Sequence, residues 1–87
     1  MKVTVYNTTS ITPSVASVTS FSDIQLIIGG YVESHKQPNS KTTLLFNEDA
    51  INLKLPQNVR FPELLGTVIV AEDGWQKLPY KTTTDKQ

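Results

Sequence analysis

The chain has no cysteine, one histidine and one methionine among its 87 residues. The lack of cysteine excludes disulfide bonds, thiol nucleophiles and zinc sites built on thiolates. An excess of charge is missing too, because eight acidic side chains balance eight basic ones. A neutral chain has no evident basic face, from which nonspecific nucleic-acid binding gets most of its affinity. We therefore expect neither a metal nor another cofactor, and nucleic acid is not the expected partner.

Long apolar runs are absent as well. The longest, Ile24 to Ile28, is interrupted by Gln25 and closed by two glycines, so it is far shorter than the ~20 residues of a membrane-spanning helix. The segment Lys2–Tyr6 alternates polar and apolar residues, unlike the continuous apolar core of a signal peptide. These features predict a cytoplasmic protein with no membrane partner.

The length of the chain allows one small domain, which buries roughly 60–65% of the surface that is exposed on unfolding. Without disulfide bonds or an obvious metal cluster, so small a core is reinforced by close packing or by self-association. A homo-oligomer is therefore one expectation for this protein.

Alternation with a period of two residues predicts most of the strands. It occurs in Lys2–Tyr6 and in Tyr31–His35. Thr42–Phe46 is also predicted as a strand, and a polar turn joins it to Tyr31–His35 as in a hairpin. The Thr- and Ser-rich region before residue 20 predicts a loop, or an edge strand around Ser14–Thr19. Thr67–Ala71 is apolar without interruption, which predicts a central strand buried on both faces.

One short helix is predicted after Ser20. Ser20 can cap the first turn, and Asp23, three residues on, can reach back to it. The pair Gly29-Gly30 supplies the left-handed stop that ends many helices. Because its β-branched residues make the helix weak in isolation, packing on a sheet must stabilise it. Its apolar face is formed by Phe21, Ile24, Ile27 and Ile28.

The C-terminal third is predicted mostly from proline and glycine positions. The segment 52–58 is predicted as loop, and Phe61–Gly66 as one turn of helix with proline in its first turn and glycine at its end. Trp75–Tyr80 is predicted to return as a short strand with Trp75 and Leu78 inward. The predicted fold class is α+β, a small mixed or antiparallel sheet of four to five strands with one helix on one face. Residues 1–80 form this domain, and 81–87 form a flexible polar tail.

Groups that could carry catalysis are few. His35 is a lone imidazole in a polar context, which favours an exposed or turn-capping role. Glu48 and Asp49 are adjacent carboxylates that point to opposite sides of an extended segment, so a solvated turn explains them better than a cation site shared with Glu33. The sequence therefore predicts no catalytic residue, no metal site and no enzymatic activity.

Three short blocks occur in order along the chain, at Ile24–Glu33, Leu45–Asp49 and Leu55–Asn58. Together they resemble a small domain family of unknown function common in bacteriophages, with Gly-Gly-Tyr-(Ile/Val)-Glu, Asn-Glu-(Asp/Glu)-Gly and Leu-Pro-x-Asn blocks. The chain departs from the family at Ala50, where glycine is usual, and at 59–61, where small residues are usual. The resemblance implies a phage or prophage origin and an α+β fold, but no mechanism.

The residues shared with this family suggest a site. We expect Glu33 and the Asn47-Glu48 turn to meet at one end of the sheet, beside the glycine turn, as a polar pocket or contact patch. In the alternative interpretation, glycine ends the helix, Asn47 caps a turn and Asn58 holds a loop in place. Aromatic side chains near the C-terminus either contact a partner or pack on their own domain. The candidate partner- or ligand-binding residues are Tyr31, Glu33, Asn47, Glu48, Asn58, Trp75 and Tyr80.

Two functional hypotheses follow. In the first, this is a non-enzymatic bacteriophage accessory protein that binds a host protein in the bacterial cytoplasm and inhibits or redirects it, for host takeover or anti-defence. It would dock through an exposed strand edge or through Trp75–Tyr80. In the second, an oligomer sequesters a nucleotide-like small molecule. That alternative needs polar donors to converge with Tyr31, namely Asn47, Lys54, Asn58 and Arg60.

Overall fold

A computed structural model describes residues 1–80 as one five-stranded antiparallel sheet with one α-helix. The predicted α+β class is confirmed, and the sheet is antiparallel throughout. Its strands are β1 (Lys2–Tyr6), β2 (Ser14–Ser17), β3 (Val32–Lys36), β4 (Thr42–Asn47) and β5 (Val68–Glu72). The predicted polar tail at 81–87 lies outside the described residues. The strand order across the sheet is β2-β1-β5-β4-β3. The helices are α1 (Phe21–Ile28) and the 3-10 helix η1 (Trp75–Lys77).

The apolar strand β5 lies in the middle of the sheet, as its sequence predicts. It pairs with β1 on one side and with β4 on the other, so that Ile69 lies opposite both Val5 and Leu45. Val68, Ile69 and Ala71 are buried, although they point alternately to the two faces. Both faces of the central strand are therefore covered.

Different parts of the chain cover the two faces. On one, which we call the helix face, α1 packs on the sheet, and the buried residues include Val3, Ile24 and Ile69. On the other, the loop face, the segment between β4 and β5 folds back over a second apolar cluster that includes Leu44, Phe61 and Val68. The sheet is therefore the middle layer of the domain.

Both ends of α1 have the predicted caps. The Ser20 hydroxyl accepts a hydrogen bond from the Asp23 N–H (3.3 Å), and the Asp23 carboxylate accepts one from the Ser20 N–H (3.2 Å). Gly29 adopts φ 90°, and its N–H donates to the Gln25 carbonyl (2.7 Å). The capping box and the left-handed glycine thus fix the helix at eight residues. Within residues 1–80, no helix combines the length and the apolar character needed to cross a bilayer.

The predicted helical turn at Phe61–Gly66 is wrong. The segment contains one hydrogen-bonded turn, closed by the Leu64 N–H on the Phe61 carbonyl (2.8 Å), but no helix, and other backbone groups pair with residues earlier in the loop. The Asn58 N–H donates to the Leu64 carbonyl (2.9 Å), the Gly66 N–H donates to the Pro56 carbonyl (2.7 Å), and Leu65 forms an isolated β-bridge with Gln57. These bonds within the loop take up groups that a helix would pair internally.

The predicted strand over Trp75–Tyr80 is also wrong, because η1 begins at Trp75. Gly74 turns the chain at φ 109°, and the Lys77 and Leu78 N–H groups donate to the Gly74 and Trp75 carbonyls. Since β5 already has a neighbour on each side, it offers no edge for a returning strand. The inward positions of Trp75 and Leu78 are confirmed, since both side chains pack against the helix-face core.

Replacing Thr43 with valine is expected to stabilise the protein by about 1 kcal/mol. Thr43 is buried in β4, and within the described part of the chain its hydroxyl oxygen has no hydrogen-bond partner. Valine keeps the shape and the β-branched character of threonine while removing the unpaired oxygen. Urea unfolding measures the change. The control is Thr42→Val, which removes a hydroxyl bonded to Gln37 (2.7 Å) and should not stabilise. A Thr43→Val protein less stable than the wild type would contradict the prediction.

Candidate functional site

An open groove of about 350 Å³ lies on the loop face, between the ends of β3 and β4 and the loop that folds back over them. Its apolar part comes from Phe46, which belongs to the loop-face cluster, and from residues of the loop. Its charged part consists of three exposed glutamates, and no lysine, arginine or histidine of residues 1–80 lines it. We call this surface the acidic groove. Its lining residues are Glu33, Phe46, Asn47, Glu48, Ala50, Ile51, Glu63, Leu64 and Leu65.

Each glutamate is positioned by a different element. Glu33 lies on β3 directly opposite Phe46 of β4, so that its side chain shares the loop face with the phenyl ring. Glu48 follows β4, and its N–H donates to the Tyr31 carbonyl (2.9 Å). Glu63 lies in the turn that the Leu64 N–H closes on the Phe61 carbonyl (2.8 Å). The loop therefore brings a third carboxylate to a pair that the β3–β4 hairpin already places.

Asn47 fixes the exit of the chain from β4. It is buried, its amide oxygen accepts a hydrogen bond from the Asp49 N–H (2.7 Å), and its Nδ2 reaches the Ile28 carbonyl at 3.5 Å. A Cβ added to Gly30 would lie 3.2 Å from that Nδ2, so the glycine turn and Asn47 are closely packed. The structure thus brings Glu33, Asn47 and Glu48 together at one end of the sheet, beside the glycines.

Asn58 lies elsewhere and is fully buried. Its Nδ2 donates to the carbonyls of Tyr6 (3.0 Å) and Gly66 (3.0 Å), and its Oδ1 accepts from the N–H groups of Arg60 (3.0 Å) and Phe61 (3.0 Å). Both ends of the amide are already paired with backbone. This arrangement corresponds to the alternative interpretation, in which Asn58 holds the loop in place.

The aromatic candidates occupy two further places. Tyr31 is exposed beside Glu48 but does not line the groove. Trp75 and Tyr80 lie at the start of α1, where their rings contact Phe21 at centroid distances of 6.4 and 5.2 Å. The Phe21 N–H also donates to the Pro79 carbonyl (2.8 Å). This segment packs on its own domain, although Tyr80 remains 67% exposed.

The residues that the nucleotide-binding hypothesis requires to converge do not lie at one site. Of these five residues only Asn47 lines the acidic groove. The Arg60 guanidinium lies over the Phe61 ring at 4.6 Å, and Asn58 is buried. Three carboxylates without a cation would also repel a phosphate. The groove therefore does not favour an anionic ligand.

The titratable side chains of the groove lining are carboxylates, and within residues 1–80 the lining contains no histidine. His35 lies exposed on β3, opposite Leu44, and is not part of the lining. In residues 1–80, no group of three or more histidine and acidic side chains is placed to hold a metal ion.

Six of the nine residues that line the groove are not among the site residues predicted from the sequence. The apolar floor and Glu63 depend on how the loop folds back, which no local pattern indicates. The one available signal was Ile51, a large apolar residue that follows the polar turn and is 80% exposed in the structure.

Fold and groove together define the class of this protein, a small α+β domain with an apolar, acid-lined surface groove. Comparison with known proteins found no match: no family model, no curated protein and no solved structure corresponds to this chain. The resemblance to a phage-associated family stays a prediction from the sequence.

Proposed function

We propose that this protein is a non-enzymatic bacteriophage accessory protein that binds a host protein in the cytoplasm of the infected bacterium and inhibits or redirects it. The phage context rests on the sequence resemblance. The binding function rests on one structural observation, the acidic groove, in which three exposed carboxylates border an apolar floor. Such a combination is typical of a surface that recognises a segment of another protein.

The chemistry of the groove specifies the partner segment. Apolar side chains of the partner would cover Phe46 and Ile51, while its lysine or arginine side chains would pair with the glutamates. Because the glutamates are exposed, each pair contributes modestly to affinity. Their common sign accelerates encounter with a cationic segment and rejects acidic ones. The expected partner segment therefore alternates basic and apolar residues.

Strand β3 adds backbone groups to the same surface. Within residues 1–80 it pairs with β4 alone, so its outer edge is free, and Glu33 lies on it. An extended segment of the host protein can extend the sheet there by main-chain hydrogen bonds while its side chains reach the groove. This docking mode corresponds to the exposed strand edge expected from the sequence.

Charge reversal in the groove tests the proposal. We expect the wild-type protein, immobilised and exposed to host lysate, to retain one host protein in stoichiometric amount, and Glu48→Lys/Glu63→Lys to retain at least tenfold less. The matched control is Asp49→Lys/Glu72→Lys, which changes net charge equally at exposed positions outside the lining and should retain the same amount as the wild type. Raising the salt concentration should weaken capture by the wild type.

Two outcomes would contradict the proposal. One is equal capture by the groove variant, and the other is no stoichiometric host protein on the wild type. A thermal-shift screen with nucleotides separates the alternative function, since a saturating ligand raises stability. We expect no shift from any of them.

A further inference from the structure

The strand at the other edge of the sheet, β2, has no charge anywhere near it in sequence. From Val3 to Ser22 the chain contains no acidic or basic residue, and within residues 1–80 β2 pairs with β1 alone. Edge strands are usually protected from pairing by charged side chains, by proline or by a cover. The edge β3 carries Glu33 and Lys36, which disfavour pairing with any strand whose charges do not complement them, whereas β2 carries no charge.

Apolar side chains are exposed along this edge. Val15 in β2 is 68% exposed, and Ile11, just before it, is 69% exposed. Val15 lies on the loop face, because it is paired with Thr4, which is in turn paired with Val70. The loop that covers this face lies against β4, β5 and Tyr6 at the end of β1, and it leaves Val15 exposed.

The hydrogen bonds of the β1–β2 pair show which backbone groups are free. The N-terminal ammonium of Met1 donates to the Val18 carbonyl, and the Val18 N–H donates to the Met1 carbonyl, both at 2.8 Å. In an antiparallel pair such exchanges recur at every second residue, so Ala16 and Ser14 also face β1. The N–H and C=O groups of Val15 and Ser17 therefore point outward.

We propose that two copies of this chain associate through β2, antiparallel about a two-fold axis at Ala16, to form one continuous ten-stranded sheet. Val15 of each copy then lies opposite Ser17 of the other, and each copy donates two hydrogen bonds and accepts two. The ladder of hydrogen bonds between the two copies cannot extend further at either end. Pro13 has no N–H to donate, and the Thr19 N–H is already bonded to the Asp23 carboxylate (2.8 Å).

The neutrality of β2 favours a second copy over a foreign segment. A two-fold axis places each residue opposite its own kind or a near neighbour, so a charged edge would set like charges against each other. Here the side chains that face each other are valine, alanine and serine, which are uncharged and therefore do not repel one another. A basic partner segment would find no acidic residue in β2 itself or elsewhere between Val3 and Ser22, whereas the acidic groove provides three glutamates. The two sheet edges thus serve different partners.

Sedimentation of the full chain over a wide range of concentrations tests this assembly. We expect a species of twice 9.7 kDa for the wild type, and a monomer for Val15→Lys, which brings lysines together across the axis. The matched control is Ser34→Lys, exposed on the opposite edge β3, which should remain dimeric. If Val15→Lys alters the circular dichroism spectrum, Val15→Pro gives a second test, because it removes an outward N–H of the edge and leaves the β1–β2 hydrogen bonds in place. A monomeric wild type, or a dimer that survives these β2 changes, overturns the proposal.

A disulfide tests the register. In a chain with no other cysteine, Ala16→Cys places two thiols in a non-hydrogen-bonded antiparallel pair, where Cα atoms are about 4.5 Å apart, within the range that disulfides bridge. We expect this variant to form a linked dimer on oxidation much faster than Ser14→Cys. Equal rates would overturn the register, and faster linkage of Ser14→Cys would do so as well. Capture of a host protein by the acidic groove is measured in a separate experiment. Failure of the dimer proposal therefore does not contradict the proposed function, and the reverse also holds.

Discussion

Replacing Asn58 with alanine is expected to lower the free energy of unfolding by about 3 kcal/mol. The side chain is fully buried and joins three parts of the chain. Its Nδ2 donates hydrogen bonds to the carbonyls of Tyr6 and Gly66, and its Oδ1 accepts them from the N–H groups of the residues at 60 and 61. Alanine would leave these backbone groups unpaired in the interior, and each buried unpaired group costs about 1–3 kcal/mol. Because small domains are stable by only about 5–15 kcal/mol, this loss is a substantial fraction of the total stability.

Denaturant unfolding with two comparison variants measures this effect. Asn52→Ala changes the same amide at an exposed position of the same loop and should cost less than about 0.5 kcal/mol. Asn58→Asp keeps an acceptor for the N–H groups but sets an oxygen against the Tyr6 and Gly66 carbonyls, so it should not restore stability. A loss below about 1 kcal/mol for Asn58→Ala would show that Asn58 does not hold the loop.

Replacing Ile69 with alanine should have an effect of similar size for a different reason. Ile69 is completely buried at the centre of β5, opposite Val5 and Leu45. Truncation removes buried methyl and methylene groups and leaves a cavity between the sheet and α1, at a cost of about 3 kcal/mol. The midpoint of urea unfolding reports the change.

The control for this substitution is Ile51→Ala, the same chemical change at an 80% exposed position. It should leave stability unchanged within about 0.5 kcal/mol. Because Ile51 lines the acidic groove, the same variant should nevertheless retain less host protein. An Ile69→Ala protein as stable as Ile51→Ala would contradict the assignment of β5 to the core.

The parts of the fold that local interactions determine were predictable from sequence. Strand β1 has the predicted bounds, and α1 begins after Ser20 and ends at Gly29, because caps and alternation involve only neighbouring residues. Two segments were mispredicted because distant partners determine their structure. Leu65 bridges to Gln57, and the chain after η1 is held by the bond from the Phe21 N–H to Pro79.

The same distinction applies to the candidate site. Glu33 and the Asn47-Glu48 turn could be placed together because a hairpin sets their register. Glu63 could not be added, since its position depends on the Asn58 amide reaching Tyr6, 52 residues away in the chain. An asparagine in a polar loop carries no signal of such a partner.

The strand order has a consequence for how the protein is made. Strand β5 is the last of the five to be synthesised, yet it lies between the β1–β2 pair and the β3–β4 pair. These two pairs are not hydrogen-bonded to each other directly. During synthesis the two hairpins therefore cannot join into one sheet until residues 68–72 have left the exit tunnel of the ribosome. Until then, the apolar faces of both hairpins are exposed to solvent. Completion of the sheet is then a late, non-local step, and a nascent chain stalled before β5 is the species most exposed to chaperones and aggregation.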